Sequence, residues 1–104
     1  MITYSNNLYL GDSVKHIKSI KRKIKYGRGQ LKLYLITLSN SEDQLDIFHN
    51  AMLKQRYFRK LNLRVVGLAN SYEEALEVVS QILDDTLAHT GVPDMKAYLS
   101  DNFD

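Results

Sequence analysis

The chain of 104 residues contains no cysteine and a single proline, Pro93. Without cysteine there are no disulfide staples, no thiolate metal sites and no cysteine nucleophile. No apolar run approaches the length needed to span a bilayer, and the opening MITYSNN lacks the charged and apolar regions of a secretory signal. The expected compartment is therefore the cytoplasm, with no membrane partner. A glycine-rich phosphate loop is also missing, because Gly27-Arg28-Gly29 precedes a strand and lacks the lysine and hydroxyl that complete such loops. Ser71 follows a strand, yet no Gly-x-Ser-x-Gly nucleophile elbow surrounds it. His16, His49 and His89 fall on three separate predicted helices, and no two have metal-ligand spacing.

What is present suits one globular domain, since 44% of the residues are hydrophobic and the length allows one core rather than two. The organising stretch is Asn62 to Asp85. Leu63, Val65 and Val66, continued by Gly67, Leu68 and Ala69, form a short apolar run of the kind that is covered on both faces of a sheet. Beyond Asn70 and Ser71 the apolar positions become Ala75, Leu76, Val79, Ile82, Leu83 and Leu87, the spacing of a helix with one buried stripe. Asn70 or Ser71 caps it, Glu73 and Glu74 complement the helix dipole, and Gly91 and Pro93 end it.

Three further segments follow the same logic. Ile2 and Tyr4, then Ser5-Asn6-Asn7, then Leu8-Tyr9-Leu10 suggest a small hairpin of two short strands turned by the polar triplet. From Ser13, the positions Val14, Ile17, Ile20 and Ile24 predict a first helix running to Gly27. Leu31–Leu38 reads as an interior strand, and Ser39-Asn40-Ser41 with Glu42 and Asp43 reads as the start of a second helix. Leu45, Phe48, Met52, Gln55 and Phe58 would follow one face of that helix. Met95, Tyr98, Leu99 and Phe103 predict a short docked terminal helix.

A leucine, a small residue, Asp or Asn, and Ser recur at 10–13, 38–41 and 68–71, at spacings of 28 and 30 residues. Similar caps at successive strand-to-helix junctions explain this without a true repeat. The expected fold is a small α/β domain with three mainly parallel strands, with or without an added N-terminal strand, flanked by three helices and a short fourth. Parallel pairing would line all three junctions along the carboxyl edge of the sheet, where open α/β sheets bind ligands.

Charge is unevenly placed. Residues 1 to 34 hold eight Lys or Arg against the single acid Asp12, whereas residues 35 to 104 hold six against eleven, inside a net charge of +2. On the first helix, Lys15, Lys18, Arg22 and Lys25 fall within about a quarter turn of one another and form a basic ridge. Such a ridge would contact phosphates by charge, with Tyr26 as a stacking surface; a solvated face or a protein contact explains it equally. Lys54, Arg56, Arg59, Lys60 and Arg64 form a second basic cluster, suited to the negative end of the second helix. Ser13 and His16 mark the one helix start without acids in its first turn, hence the candidate anion site. Glu42 with Asp46, and Glu73 with Glu77, stand one turn apart and could share a hard cation, although dipole compensation accounts for them without one. Tyr9-Leu10-Gly11 before a basic helix is similar to the second half of the GIY-YIG nuclease motif. The first strand of that motif has no counterpart here, and Ser19 stands where its arginine would, so no catalytic role carries over.

These features predict a non-catalytic cytoplasmic interaction or regulatory module that acts through protein contacts as a homo-oligomer, a dimer joined by a sheet edge or the terminal helix. The alternative is a nucleic-acid or phosphate-ligand binder that uses the first helix. An enzyme acting on a phosphorylated substrate near Asp12, Ser13, Glu42 and Glu73 is the third reading. No cofactor or metal is implied.

Overall fold

The computed structural model describes residues 2–26, 32–54 and 60–104. In chain order these form β1 (Ile2–Leu10), α1 (Ile17–Tyr26), β2 (Tyr34–Leu38), β3 (Leu45–His49), a 3-10 turn (Asn50–Lys54), β4 (Leu63–Ala69), α2 (Tyr72–Thr90) and α3 (Met95–Asp101). The four strands make one sheet in the order β1-β4-β2-β3. β1 runs parallel to β4, while β4 with β2 and β2 with β3 are antiparallel. The class is α/β as expected. The expectation of three mainly parallel strands is corrected to a mixed sheet of four, and the described residues hold three α-helices rather than three plus a short fourth.

The cause of both corrections is the segment after β2. Ser39-Asn40-Ser41 does not start a helix. The Ser39 hydroxyl accepts the Ser41 amide at 3.0 Å, the Ser41 hydroxyl accepts the Asp43 amide at 3.3 Å, and the Ser39 amide reaches the Gln44 carbonyl at 3.3 Å. Serine hydroxyls that capture nearby amides curl a chain as readily as they cap a helix, and here they close a hairpin. Leu45-Asp46-Ile47-Phe48-His49 then pairs antiparallel with β2, from Leu38↔Leu45 to Tyr34↔His49. A second helix carrying Leu45, Phe48 and Met52 on one face is therefore absent; its further positions, Gln55 and Phe58, lie outside the described residues, as does the Gly27-Arg28-Gly29 break.

Helices cover both faces of the sheet. On one side Val14, Leu33, Leu35, Val65 and Leu68 form a core beneath Ile17, Ile20 and Ile24 of α1. On the other, Ile36, Leu38, Val66 and Ala69 pack with Ala75, Val78 and Ile82 of α2 and Leu99 of α3. β4 feeds both cores by the alternation of its side chains, and a bulge shifts the phase of that alternation. Ile36 pairs with Gly67 but Thr37 with Val65, so Val66 is an extra residue against β2. At Gly67 the sheet and α2 approach closely, and an added Cβ would stand 3.0 Å from Ile36 Cδ1 and 3.1 Å from Val78 Cγ1.

β1 bows at the same level, since Tyr4 pairs with Val65 and Tyr9 with Gly67. The bowed Ser5-Asn6-Asn7 does not reverse the chain; it holds the C-terminal tail. The Ser5 hydroxyl and the Asn6 amide both donate to the Phe103 carbonyl at 2.9 Å, and Asn7 Nδ2 donates to the Asn102 carbonyl at 2.8 Å. The tail thus partly covers the outer edge of β1. α3 is anchored at the β2–β3 hairpin, where Lys96 Nζ donates to the Ser41 carbonyl at 2.6 Å and the Lys96 amide to Gln44 Oε1 at 3.0 Å. Tyr9 ties β1 to α2 by donating its hydroxyl to Asp85 Oδ2 at 2.6 Å. Burial, and then the Asp85 carboxylate that accepts this hydrogen bond, push the Tyr9 hydroxyl well above the usual tyrosine range.

The capping of α2 follows the expectation. Ser71 is the N-cap and accepts the Glu74 amide, and Gly91 closes the helix at φ 76 with its amide on the Leu87 carbonyl. Among the buried side-chain polar atoms of the described residues, the Thr37 hydroxyl stands without a partner. Thr37→Val has nearly the same shape and removes that uncompensated group. It is expected to raise the stability of the domain by about 1 kcal/mol, read as a later urea midpoint at unchanged slope.

Candidate functional site

β1 and β4 lie side by side and parallel, yet β1 leads to α1 on one face and β4 leads to α2 on the other. Adjacent parallel strands whose chains depart to opposite faces open a crevice at their carboxyl ends, the usual ligand position in open α/β sheets. Two of the three expected junctions meet there, Leu10–Ser13 and Leu68–Ser71. The third, Leu38–Ser41, lies at the opposite edge, because β2 runs against β4. Glu42 is consequently remote from Asp12 and Glu73, and the proposed convergence of those three groups does not occur. Among the described residues no three His, Asp or Glu side chains are grouped to hold a metal ion.

The crevice is filled from within by the Glu74 carboxylate. Ser13 donates its hydroxyl to Glu74 at 2.7 and 2.9 Å and its amide at 3.2 Å, and the Asn70 amide donates at 2.8 Å. Asn70 Nδ2 closes the network on the Ser13 carbonyl at 2.9 Å and on its hydroxyl oxygen at 3.0 Å. Room for the carboxylate comes from Gly11, where any Cβ would collide with the Glu74 side chain. The group is a variant of the capping box: Ser71 takes the Glu74 amide, while Glu74 reaches back to Asn70 and across to Ser13 in the loop after β1. The donors that would have made Ser13 an anion site thus already serve an internal anion.

Commitment of Ser13 to Glu74 also explains where α1 begins. The helix starts at Ile17, not at Ser13. His16 precedes it in the left-handed region at φ 60, with its carbonyl accepting the Ile20 amide at 3.0 Å. Histidine is among the residues that tolerate this conformation.

The basic ridge is only partly helical. Lys18, Arg22 and Lys25 stand exposed on α1, whereas Lys15 lies exposed in the loop before it. Tyr26 is 62% exposed and Lys25 Nζ stands 5.5 Å from its ring centroid. Lys21 instead leans over the Tyr4 ring at 4.7 Å, and burial raises the Tyr4 hydroxyl above its usual value. No residue of α1 is fully buried, so the ridge rides on a lightly seated helix. Arg28, Arg56 and Arg59 lie outside the described residues. Lys60 is exposed and Arg64 is half-buried within β4.

A second surface escaped the sequence reading. The six apolar positions of α2 do not form one stripe. Of the six, Ala75 and Ile82 are buried, together with Val78 and Thr86, while Leu76 and Leu87 are 47% and 42% exposed beside Tyr72 at 51%. The signal was the width of the pattern, since Leu76 and Ile82 stand about a third of a turn apart at 100° per residue. At the end of the sheet, Tyr72 meets Tyr34 edge-on at 6.0 Å, and Tyr34 meets His49 at 5.0 Å.

No protein-family model, no curated protein and no solved structure matches the chain.

The Asn70 amide, followed by the Ser13 hydroxyl, holds the Glu74 carboxyl below the usual glutamate range against an opposing effect of burial, with the Ser13 amide the least of the contributions. A lowered carboxyl pKa contributes stability above the unfolded value and loses it as pH falls through the folded one. Glu74→Gln is therefore expected to unfold at lower urea than the native protein at neutral pH. The gap should narrow progressively below about pH 4, as followed by circular dichroism.

Proposed function

We propose that this domain is a non-catalytic interaction module that works through protein contacts and self-associates. The observation that carries the reading is the set of apolar side chains that α2 leaves in solvent, Tyr72, Leu76 and Leu87, continued past its end by Val92 at 54% exposure. Surface of this kind on a small domain marks a contact site. The filled crevice at the β1–β4 junction adds support, because the usual ligand position of an open sheet already serves as a structural clamp. Self-association falls to β3, which ends the strand order among the described residues, since the tail already reaches the outer edge of β1. A cytoplasmic setting agrees with the absence of cysteine, and no helix among the described residues is long and apolar enough to cross a membrane. Sedimentation velocity over a dilution series is expected to show a dimer that dissociates on dilution. A single monomer species at high micromolar concentration would remove self-association.

A second reading rests on the exposed Lys15, Lys18, Arg22 and Lys25 beside Tyr26, the features of a phosphate-contacting face with a stacking platform. Under it, fluorescence anisotropy with short single- and double-stranded DNA and RNA should show binding that weakens steeply with salt and disappears in Lys18→Glu/Arg22→Glu. Absence of binding at low salt would leave the ridge as a solvated face or a protein contact.

A further inference from the structure

α2 carries two lines of apolar residues at an angle to one another. The line Ala75, Val78, Ile82 and Thr86 is sealed in the core. The other, Tyr72, Leu76, Leu83 and Leu87, recurs at intervals of four, seven and four residues, and three of its members are half-open to solvent. Along the helix it extends about 22 Å at 1.5 Å per residue. Tyr34 extends the apolar surface onto the sheet through its ring contact with Tyr72.

The Asp, Glu, Lys and Arg side chains that α2 itself carries have one sign. α2 contains five acids, Glu73, Glu74, Glu77, Asp84 and Asp85, and neither lysine nor arginine. Glu74 is spent on Ser13 and Asn70, and Asp85 on Tyr9. Glu73, Glu77 and Asp84 remain exposed and project beside the apolar line on the side away from the core.

We propose that the Tyr72–Leu87 line is the docking surface for a cationic amphipathic helix of another protein, with its apolar face on Leu76, Leu83 and Leu87 and its lysines or arginines on Glu73, Glu77 and Asp84. This rests on the interaction reading above and names the chemistry of the partner. A straight apolar ridge of this length matches a helix of about fifteen residues packed along it. A like α2 from a second copy would bring the same carboxylates together without a compensating cation. The α1 of a second copy would offer lysines with one open aromatic ring, Tyr26, at its end and no apolar line to match, since Ile17, Ile20 and Ile24 pack toward their own core.

The test uses the whole chain with a synthetic helical peptide of leucine and lysine, about 18 residues long and patterned at the helical period. A scrambled peptide of the same composition and a leucine–glutamate peptide of the same pattern are the controls. The leucine–lysine peptide is expected to bind and to shift the amide resonances of residues 72–87, while both controls bind at least about tenfold more weakly. Leu76→Ser/Leu87→Ser should weaken binding about tenfold with the helical spectrum unchanged, and Glu77→Lys/Asp84→Lys should weaken it and flatten its salt dependence. Equal binding of the scrambled peptide, or unchanged affinity in Leu76→Ser/Leu87→Ser, would overturn the proposal. So would loss of the sedimentation dimer in that variant, which would make a second copy the occupant. A dimer that persists while no peptide binds removes this inference and leaves the interaction reading standing; a monomer that binds no peptide removes both.

Discussion

The pairing of β4 with a strand on each side is the constraint from which the other features follow. β4 runs parallel to β1 and antiparallel to β2, and its bulge at Val66 lets a seven-residue strand supply Val65 and Leu68 to one core and Val66 and Ala69 to the other. Both cores must close for β4 to lose its water, so the helices on the two faces are coupled through one backbone. The same pairing brings the carboxyl ends of β1 and β4 together and places Ser13 within reach of Asn70 and Glu74. The crevice and its internal carboxylate are thus consequences of strand order.

Layering then sorts charge. α1, with no acid of its own, lies on one face; α2, with five acids and no lysine or arginine, lies on the other. The sheet between them is apolar, so the two fields are not neutralised locally, and each face selects partners of opposite sign. The cationic face turns its isoleucines inward and offers solvent lysine and arginine with the single ring of Tyr26. The anionic face offers apolar side chains as well, which is why contact with another helix suits it better than contact with a polyanion.

Much of the second half of the chain was legible because its signals are local. The run at Leu63–Ala69, the Ser71 cap, the stop at Gly91 and the terminal helix at Met95–Asp101 depend on residues within a turn or two of each other. The cap at Ser71 and the acids of the first turn were also visible, but the reach of Glu74 to Ser13 was not, since Ser13 is 61 residues away. The polar triplet Ser5-Asn6-Asn7 resembled a turn, and its actual partners, Asn102 and Phe103, lie at the other end of the chain. Ser39–Asp43 was ambiguous in principle. Serine hydroxyls next to free amides serve a helix start and a hairpin loop with the same hydrogen bonds, and the five residues of β3 are too few for period alone to decide.

From sequence alone came the α/β class, the β4–α2 unit with its two ends, the basic character of α1 and the exclusion of cysteine chemistry. These follow from spacing, capping residues and composition, which act over a few residues or over the whole chain. Strand direction, the hairpin that replaced a helix, the division of α2 into a buried and an open line, and the occupation of the crevice by Glu74 were decided only by tertiary structure. Each depends on which distant segments compete for the same sheet edge, hydrogen-bond donor or apolar surface, and local periodicity carries no record of that competition.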